Sequence, residues 1–219
     1  GFTGSYGKVL VTLNDVLLWT DTRYFLQAPE ELKGTGIRLM KDRVPEAVSL
    51  EEWALKNLKR GNKIAFDGST ISAAEATQLT SKLAANGIIF IIDHDLVDQV
   101  WLDRPFQSES RAYEYPVDFA GKSRTEKFDM VRKILKSKDL DSTVISLLDD
   151  LAWVFNLRGN EIEYTPLVSA YGYLDQENVW LFINPGRLGP AFRNVLEEEG
   201  IIIKPYGDFY SFIKRITNK

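Results

Sequence analysis

Short apolar runs alternate along the chain with segments in which apolar residues recur at helical spacing. Residues 9–12 and 16–20 are two β-branched or apolar runs separated by a polar turn, a pattern that predicts a β-hairpin. Runs of the same kind predict further strands at residues 63–67, 88–92, 143–147, 167–173, 179–183 and 201–204. The run at 88–92 is apolar throughout, which is typical of a strand covered on both faces. The stretch from the hairpin to Pro45 is predicted to be irregular.

Three predicted helices begin with the same signature, a serine followed three residues later by a glutamate. In this capping box the serine oxygen accepts a hydrogen bond from the glutamate N–H, and the glutamate carboxylate accepts one from the serine N–H. The pairs are Ser49 with Glu52, Ser72 with Glu75, and Ser123 with Glu126. The first two helices are predicted to end at Gly61 and Gly87. The third is predicted to bury one face made of Phe128, Val131, Ile134 and Leu135. Three more helices are predicted at residues 149–155, 190–199 and 209–216.

Alternating strands and helices predict the α/β fold class, and the hairpins require mixed sheets flanked by helices. The polar stretch at 105–121, centred on Gln107-Ser108-Glu109-Ser110, predicts a boundary between domains at 1–108 and 117–219. Both halves contain a hairpin, a helix, a strand and a helix in that order. The second half has an additional helix, strand and short helix before its hairpin. If the halves are repeats, on the order of 35 residues of the first domain are expected upstream of Gly1.

Composition narrows the possible partners. The chain has 27 Lys and Arg against 31 Asp and Glu, without a block of like charge, which argues against a nucleic-acid partner. No apolar stretch reaches the roughly 18–20 residues that span a bilayer, so no membrane partner is expected. Cysteine is absent, which excludes a disulfide framework or a thiolate site and fits a reducing compartment such as the cytoplasm.

Candidate catalytic chemistry is sparse. The one histidine lies in Asp93-His94-Asp95, where neighbouring side chains of an extended chain point in opposite directions, so a surface histidine is expected rather than a metal ligand. With one histidine no two-histidine metal motif can form, and no Gly-x-Ser-x-Gly elbow is present. We therefore predict no catalytic residue and no metal ligand in this sequence.

The most distinctive segment is 148–160, Leu-Asp-Asp-Leu-Ala-Trp-Val-Phe-Asn-Leu-Arg-Gly-Asn. Its apolar spacing predicts a short helix packed on a core, followed by a turn at Gly159. Arg158 in that turn is either a structural or solvated charge, or a planar fork that clamps a carboxylate. Residue patterns favour the first alternative and leave the second open.

Three segments together resemble the Xaa-Pro aminopeptidases of the three-domain type. The first comprises Gly-Phe-Thr-Gly-Ser at 1–5 and Leu-Trp-Thr-Asp-x-Arg-Tyr-Phe-Leu-Gln-Ala at 18–28. The second is Leu-Val-Asp-x-x-Trp-x-x-Arg-Pro at 96–105, and the third is the segment at 148–159 with Pro166 following. They occur in the family's order and span nearly the whole chain. The sequence departs from the family's usual residues at Thr22, Glu161, Thr165 and Asn184.

The resemblance implies two creatinase-like N-terminal domains, the first of them partial. In the family these domains precede a pita-bread catalytic domain that binds two divalent metal ions, commonly manganese. The parent enzyme is then expected to release the N-terminal residue preceding proline from proline-containing peptides, in the cytoplasm and as a homodimer. The chain itself is expected to hold no cofactor and to be inactive, while its domains shape access to the substrate cleft.

Within this resemblance, Arg158, Asn160, Glu161 and Tyr164 are candidates to border the substrate cleft. The alternative interpretation is a freestanding, non-enzymatic binding module that retains the creatinase-like fold.

Overall fold

The computed structural model describes residues 1–104, 110–161 and 163–217, and the chain divides into two compact units, Gly1–Arg104 and Pro105–Lys219. Each unit contains one mixed sheet and one two-stranded sheet, flanked by helices, which confirms the predicted α/β class. The centre of the predicted boundary, residues 107–109, lies outside the described residues. The exact domain limits therefore stay a prediction.

The first unit opens with a three-stranded sheet. Strands β1 (Lys8–Val11) and β2 (Val16–Thr20) form the predicted antiparallel hairpin, and β3 (Ile37–Lys41) runs parallel to β2 on its other side. Along the chain, α1 (Gln27–Leu32) lies between β2 and β3. The prediction of an irregular stretch up to Pro45 was therefore wrong. Helix α1 has only six residues and no capping side chain, so it is too short to show helical periodicity.

The rest of the first unit contains α2 (Leu50–Asn57), β4 (Lys63–Ala65), α3 (Ala73–Ala84) and β5 (Ile89–Ile91), with β4 and β5 parallel. Two details were predicted wrongly. Helix α2 ends at Asn57, and Gly61 lies in the turn beyond it with φ of 87°. Strand β5 is not covered on both faces, because it belongs to a sheet of only two strands and its residue Ile89 is half exposed.

The capping boxes also differ. At Ser49 both hydrogen bonds of the box form. At Ser72 only the serine side chain caps the helix, because the Glu75 carboxylate pairs with Lys8 Nζ instead. A competing cation from β1 thus removes half of a motif that the local sequence predicts in full.

The second unit is centred on a four-stranded sheet of order β11, β10, β9, β7. Its strands are β7 (Ser142–Ile145), β9 (Ala170–Asp175), β10 (Val179–Ile183) and β11 (Ile201–Lys204). Strands β9 and β10 form the predicted hairpin and β11 runs parallel to β10, which is the arrangement of β1, β2 and β3. The two units therefore share a local topology.

Helices surround this sheet: α4 (Val117–Ala120), α5 (Arg124–Ser137), α6 (Leu148–Val154), α7 (Pro190–Glu198) and α8 (Phe209–Thr217). A two-residue ladder joins β6 (Tyr113–Glu114) to β8 (Leu157–Arg158). Strand β6 and helix α4 lie in the stretch that was predicted to be irregular. The complete capping box at Ser123 is confirmed, but Ile134 is 53% exposed and does not share the buried face of α5.

The buried apolar side chains are distributed unevenly. In the second unit seventeen of them form one cluster between the sheet and helices α5, α6 and α7, and three more form a second cluster beside α8, whereas the first unit has three clusters of three. Gly172 lies within the large cluster, where an added Cβ would stand 2.8 Å from the Phe155 ring. Close packing of helix against sheet therefore requires glycine at this position.

Candidate functional site

The distinctive segment of the sequence forms α6, an abrupt turn and β8. Asn156 takes the left-handed conformation with φ of 45°, which stops the helix and turns the chain into β8. The last carbonyl groups of a helix lack partners within it. Arg158 Nη1 donates to the carbonyl oxygens of Ala152 at 2.6 Å and Leu157 at 3.0 Å, and Lys127 Nζ donates to that of Trp153 at 2.8 Å. Two cations thus cap the negative end of α6.

The two cations differ in burial, and Arg158 is only partly buried. Lys127 is fully buried, and its amine lies 4.3 Å from the centre of the Trp153 ring and donates to Asn156 Oδ1. Among the described residues no carboxylate pairs with it. Burial, and then repulsion from Arg158 and Arg124, lowers the pKa of Lys127.

The pKa of the neighbouring Arg124 shifts in the opposite direction to that of Lys127. Burial alone would lower its pKa, but hydrogen bonds to Glu199 and Glu114 outweigh burial and raise the pKa. The two glutamates come from α7's end and from β6, so the arginine joins three elements of the second unit. The contacts of Lys127, Arg158 and Arg124 around α6 thus stabilise the fold of the second unit.

Arg158 is also covered from outside. Its guanidinium lies 4.4 Å from the centre of the Tyr115 ring, a distance typical of a cation–π contact. The predicted cleft residue therefore commits its donors to the end of α6, and no carboxylate of the described chain contacts it. The contacts are those of a side chain that holds the following loop in place.

That loop, 159–166, carries the other three candidates. Asn160 is exposed, and Tyr164 is 95% exposed with a left-handed φ of 60°. Glu161 points inward instead, where its carboxylate accepts hydrogen bonds from Ser169 N at 2.9 Å and Ser169 Oγ at 2.7 Å. The structure thus separates the four candidates into two exposed side chains and two that are engaged with the protein.

A cavity of about 320 Å³ lies next to this loop, where β10 and β11 end and β9 begins. Such edges of sheets, at the carboxyl ends of parallel strands, are common binding positions. The residues along its wall include Ser169, Asn184, Pro185, Arg187, Tyr206 and Gly207.

Arg187 links the cavity to the loop. It is 3% exposed, and its Nη1 lies 2.8 Å from Glu161 Oε1, forming an ion pair. Sequence reasoning missed Arg187 because nothing in its neighbourhood marks it as buried. The nearby departure from family usage at Asn184 was the only signal that pointed to this turn.

His94 does not contribute to this site. It lies in the first unit, half exposed, with Nδ1 2.7 Å from Asp93 Oδ1, and this contact lowers the pKa of Asp93. Within residues 1–104, 110–161 and 163–217, no three His, Cys, Asp or Glu side chains converge as a metal site would require. The described helices are also all too short or too polar to cross a membrane.

Comparison with known proteins identifies relatives of both units. Two profiles of the Creatinase/Prolidase N-terminal domain match, one over residues 1–98 and the other over 103–219. The chain is 36% identical over 215 residues to Xaa-Pro aminopeptidase app-1 of Caenorhabditis elegans, covering 97% of this chain and 35% of that protein. It is 35% identical over 225 residues to Xaa-Pro aminopeptidase 1 of Dictyostelium discoideum, covering 98% and 35%.

A solved structure of an aminopeptidase of this kind also matches the fold of the chain. The crystal structure of X-prolyl aminopeptidase from Caenorhabditis elegans, described as a cytosolic enzyme with a di-nuclear active site, matches with a TM-score of 0.93 at 33% identity. The match covers 99% of this chain and 35% of that one. The chain therefore spans about a third of the length of the relatives it matches.

Proposed function

Because the chain belongs to the creatinase/prolidase N-terminal domain family, we propose that it acts as the N-terminal region of a metal-dependent Xaa-Pro aminopeptidase. In this role it restricts access to a metal site that other residues of the parent protein supply. The observation that carries the proposal is the similarity to Xaa-Pro aminopeptidases over nearly the entire chain, at a third of their length. The substrates are peptides with proline in the second position.

The distribution of donor side chains supports this division of labour. Hydrolysis by a metal-bound hydroxide requires several carboxylates or imidazoles around the ions, with a position left open for water. The described part of the chain offers no such cluster. We place two divalent ions, manganese in the family, in the remaining length of the parent. A cytoplasmic location and a homodimeric parent belong to the same proposal, the first supported by the cytosolic relative.

The loop at 159–166 is the part of the chain that we assign to the substrate cleft. Asn160 and Tyr164 present exposed side chains, while Glu161 is tied to Ser169 and Arg187 beneath them. Arg158 acts as a positioning residue, because it anchors the start of the loop to α6. Because Arg158 fixes the start of the loop and Glu161 is tied to Ser169 and Arg187, the loop can present Tyr164 in a fixed place.

The division of labour is tested by comparing the chain with its full-length parent on an Xaa-Pro-Xaa peptide with manganese. We expect metal-dependent release of the first residue by the parent, abolished by a chelator, and none by the 219-residue chain. Metal-dependent turnover by this chain alone would overturn the proposal. A parent that leaves the peptide intact with manganese present would overturn its peptidase part.

A further inference from the structure

The guanidinium of Arg187 has donors that the described part of the protein does not use. Arginine carries five N–H donors in a planar fork. The ion pair with Glu161 brings Nη1 to within 2.8 Å of Oε1, yet none of the Nη1 hydrogens points at an acceptor. Among the described residues neither Nε nor Nη2 donates a hydrogen bond. Buried polar groups are nearly always satisfied, so an arginine that is 3% exposed and donates no side-chain hydrogen bond to a described residue is exceptional.

The carboxylate of Glu161 is occupied from the other side. It accepts two hydrogen bonds from Ser169, through the backbone N–H and through the hydroxyl. These bonds fix the carboxylate beside Arg187 without letting it meet the planar fork in a bidentate manner, which is the preferred geometry of arginine with a carboxylate. The ion pair therefore positions Arg187 and leaves part of its hydrogen-bonding capacity open.

The cavity in front of Arg187 offers donors and few free acceptors. Asn184 uses its side-chain oxygen to accept from Gly186 N at 3.1 Å, which leaves its amide hydrogens as donors. The Tyr206 hydroxyl donates to Tyr171, and the Ser169 hydroxyl donates to Glu161. A ligand that complements this wall must supply oxygen acceptors.

We propose that this cavity is a binding site for a carboxylate-bearing ligand, with Arg187 as the residue that receives the carboxylate. The ligand's carboxylate accepts hydrogen bonds from the guanidinium N–H groups of Arg187 that Glu161 leaves unpaired. The proline and tyrosine rings of the wall exclude water around this contact. A volume of about 320 Å³ admits a carboxylate with one or two residues of peptide or a small organic acid. The nearby Glu161 opposes a second negative charge, so the affinity is expected to be in the millimolar range.

This site is inferred from the second unit alone and does not rest on the proposed peptidase role. Its test is binding to the 219-residue chain, so its failure would leave the peptidase assay unaffected, and the reverse also holds.

The experiment is a ¹H–¹⁵N NMR titration of the chain, following the Nε–H signal of Arg187. The probes are N-acetyl-alanyl-alanine with a free terminal carboxylate, the same peptide as its amide, and acetate. We expect the acid peptide to shift the signal saturably and the amide to leave it unchanged. Tighter binding of the peptide than of acetate assigns the site to peptide carboxylates, and equal binding assigns it to free small acids. Equal shifts with acid and amide, or no shift with any probe, would overturn the site.

Three variants sharpen the test. Arg187→Lys keeps the charge and loses the fork, so binding should weaken about tenfold or more. Gly207→Phe places a ring at the cavity, where an added Cβ meets open space, so it should abolish binding while the fold is retained. Glu161→Gln removes the competing charge and should tighten binding about threefold or more. Arg193→Gln is the matched control, since this arginine is half exposed and paired with Glu197 on α7.

If Gly207→Phe retains the fold and binds as the unaltered chain does, the cavity is not the site, whatever the behaviour of Arg187→Lys. If Arg193→Gln weakens binding as much as Arg187→Lys, the effect belongs to net charge and the inference fails.

Discussion

Arg158 donates one hydrogen bond to the Ala152 carbonyl oxygen in α6 and one to the Leu157 carbonyl oxygen in β8, and its guanidinium packs on the Tyr115 ring. Both contacts stabilise the turn from which the loop at 159–166 emerges. At the level of single residues, the proposed function therefore assigns a structural role and a substrate-facing role to neighbouring positions of one short segment. Arg158 holds the loop, while Tyr164 is presented by it.

This distribution predicts different outcomes for two substitutions in the full-length parent. Arg158→Ala removes two hydrogen bonds and a cation–π contact, so it should lower the free energy of unfolding by about 1–2 kcal/mol and also raise KM. Tyr164→Ala should raise KM severalfold without changing stability, because its side chain is 95% exposed. Steady-state kinetics and chemical denaturation measure both quantities.

Leu13→Ala is the control for that pair, since Leu13 is fully exposed in the turn between β1 and β2, in the other unit. Its KM should equal that of the unaltered parent. Unchanged kinetics for both loop variants, with stability lost only in Arg158→Ala, would show that the loop is structural and does not border the cleft.

At the level of elements, the capping box at Ser123 shows how a local motif determines where a helix begins. Ser123 and Glu126 exchange both hydrogen bonds of the capping box at the start of α5. The backbone N–H of Ser123, followed by its side chain, lowers the pKa of Glu126 from its ordinary 4.5. A carboxyl group whose pKa is lower in the folded state stabilises the fold above its unfolded pKa, and that stabilisation is lost as the pH falls through the folded value.

Glu126→Gln should therefore change the acid dependence of stability. At neutral pH the variant is expected to unfold at a lower urea concentration, because it loses the charged acceptor at the helix start. As the pH falls below 4.5, Glu126 becomes protonated and the two proteins should converge. Urea unfolding followed by circular dichroism over this pH range measures the difference. Glu177→Gln, in an exposed turn, should parallel the unaltered chain, and a pH-independent gap for Glu126→Gln would contradict this account.

Elements with strong local signals were predictable from the sequence. The two hairpins and the helix starts at Ser49 and Ser123 rest on turn and capping chemistry that neighbouring residues contain. Helix α1 was missed because it has six residues and no capping side chain, and β3 because Arg38 interrupts its apolar run and no hairpin turn marks its pairing with β2. The Glu161–Arg187 pair could not be predicted, since charges meet only after β9, β10 and their turns have been placed. The cavity next to this pair could not be predicted either, because its residues come together only in the folded second unit.

Across the whole molecule, the two units differ in how their apolar side chains are buried. In the second unit seventeen buried residues form one cluster and three form another, whereas the buried residues of the first unit are divided among three clusters of three. Local opening depends on the number of buried apolar contacts that must be broken. The second unit should therefore contain the most stable backbone of the chain.

Hydrogen exchange of the 219-residue chain tests this difference. Backbone amides of β9 and β10, around Leu174 and Leu181, are expected to exchange more slowly than those of β4 and β5 by about tenfold or more. The reason is that β9 has sheet neighbours on both sides and a covered face, whereas β4 and β5 form a two-stranded sheet with the half-exposed Ile89. Mass spectrometry of exchanged peptides resolves these segments. Equal protection in both units would contradict the link between core size and local stability.

The buried Lys127 has a consequence for chemical labelling. Amine-reactive reagents reach surface lysines directly, but this amine is fully enclosed between α5, the Trp153 ring and Asn156. It can be modified only when the second unit opens, so its rate of acylation reports the frequency of that opening. The acylation rate of this single lysine therefore measures how often the second unit opens, and no label has to be engineered into the chain.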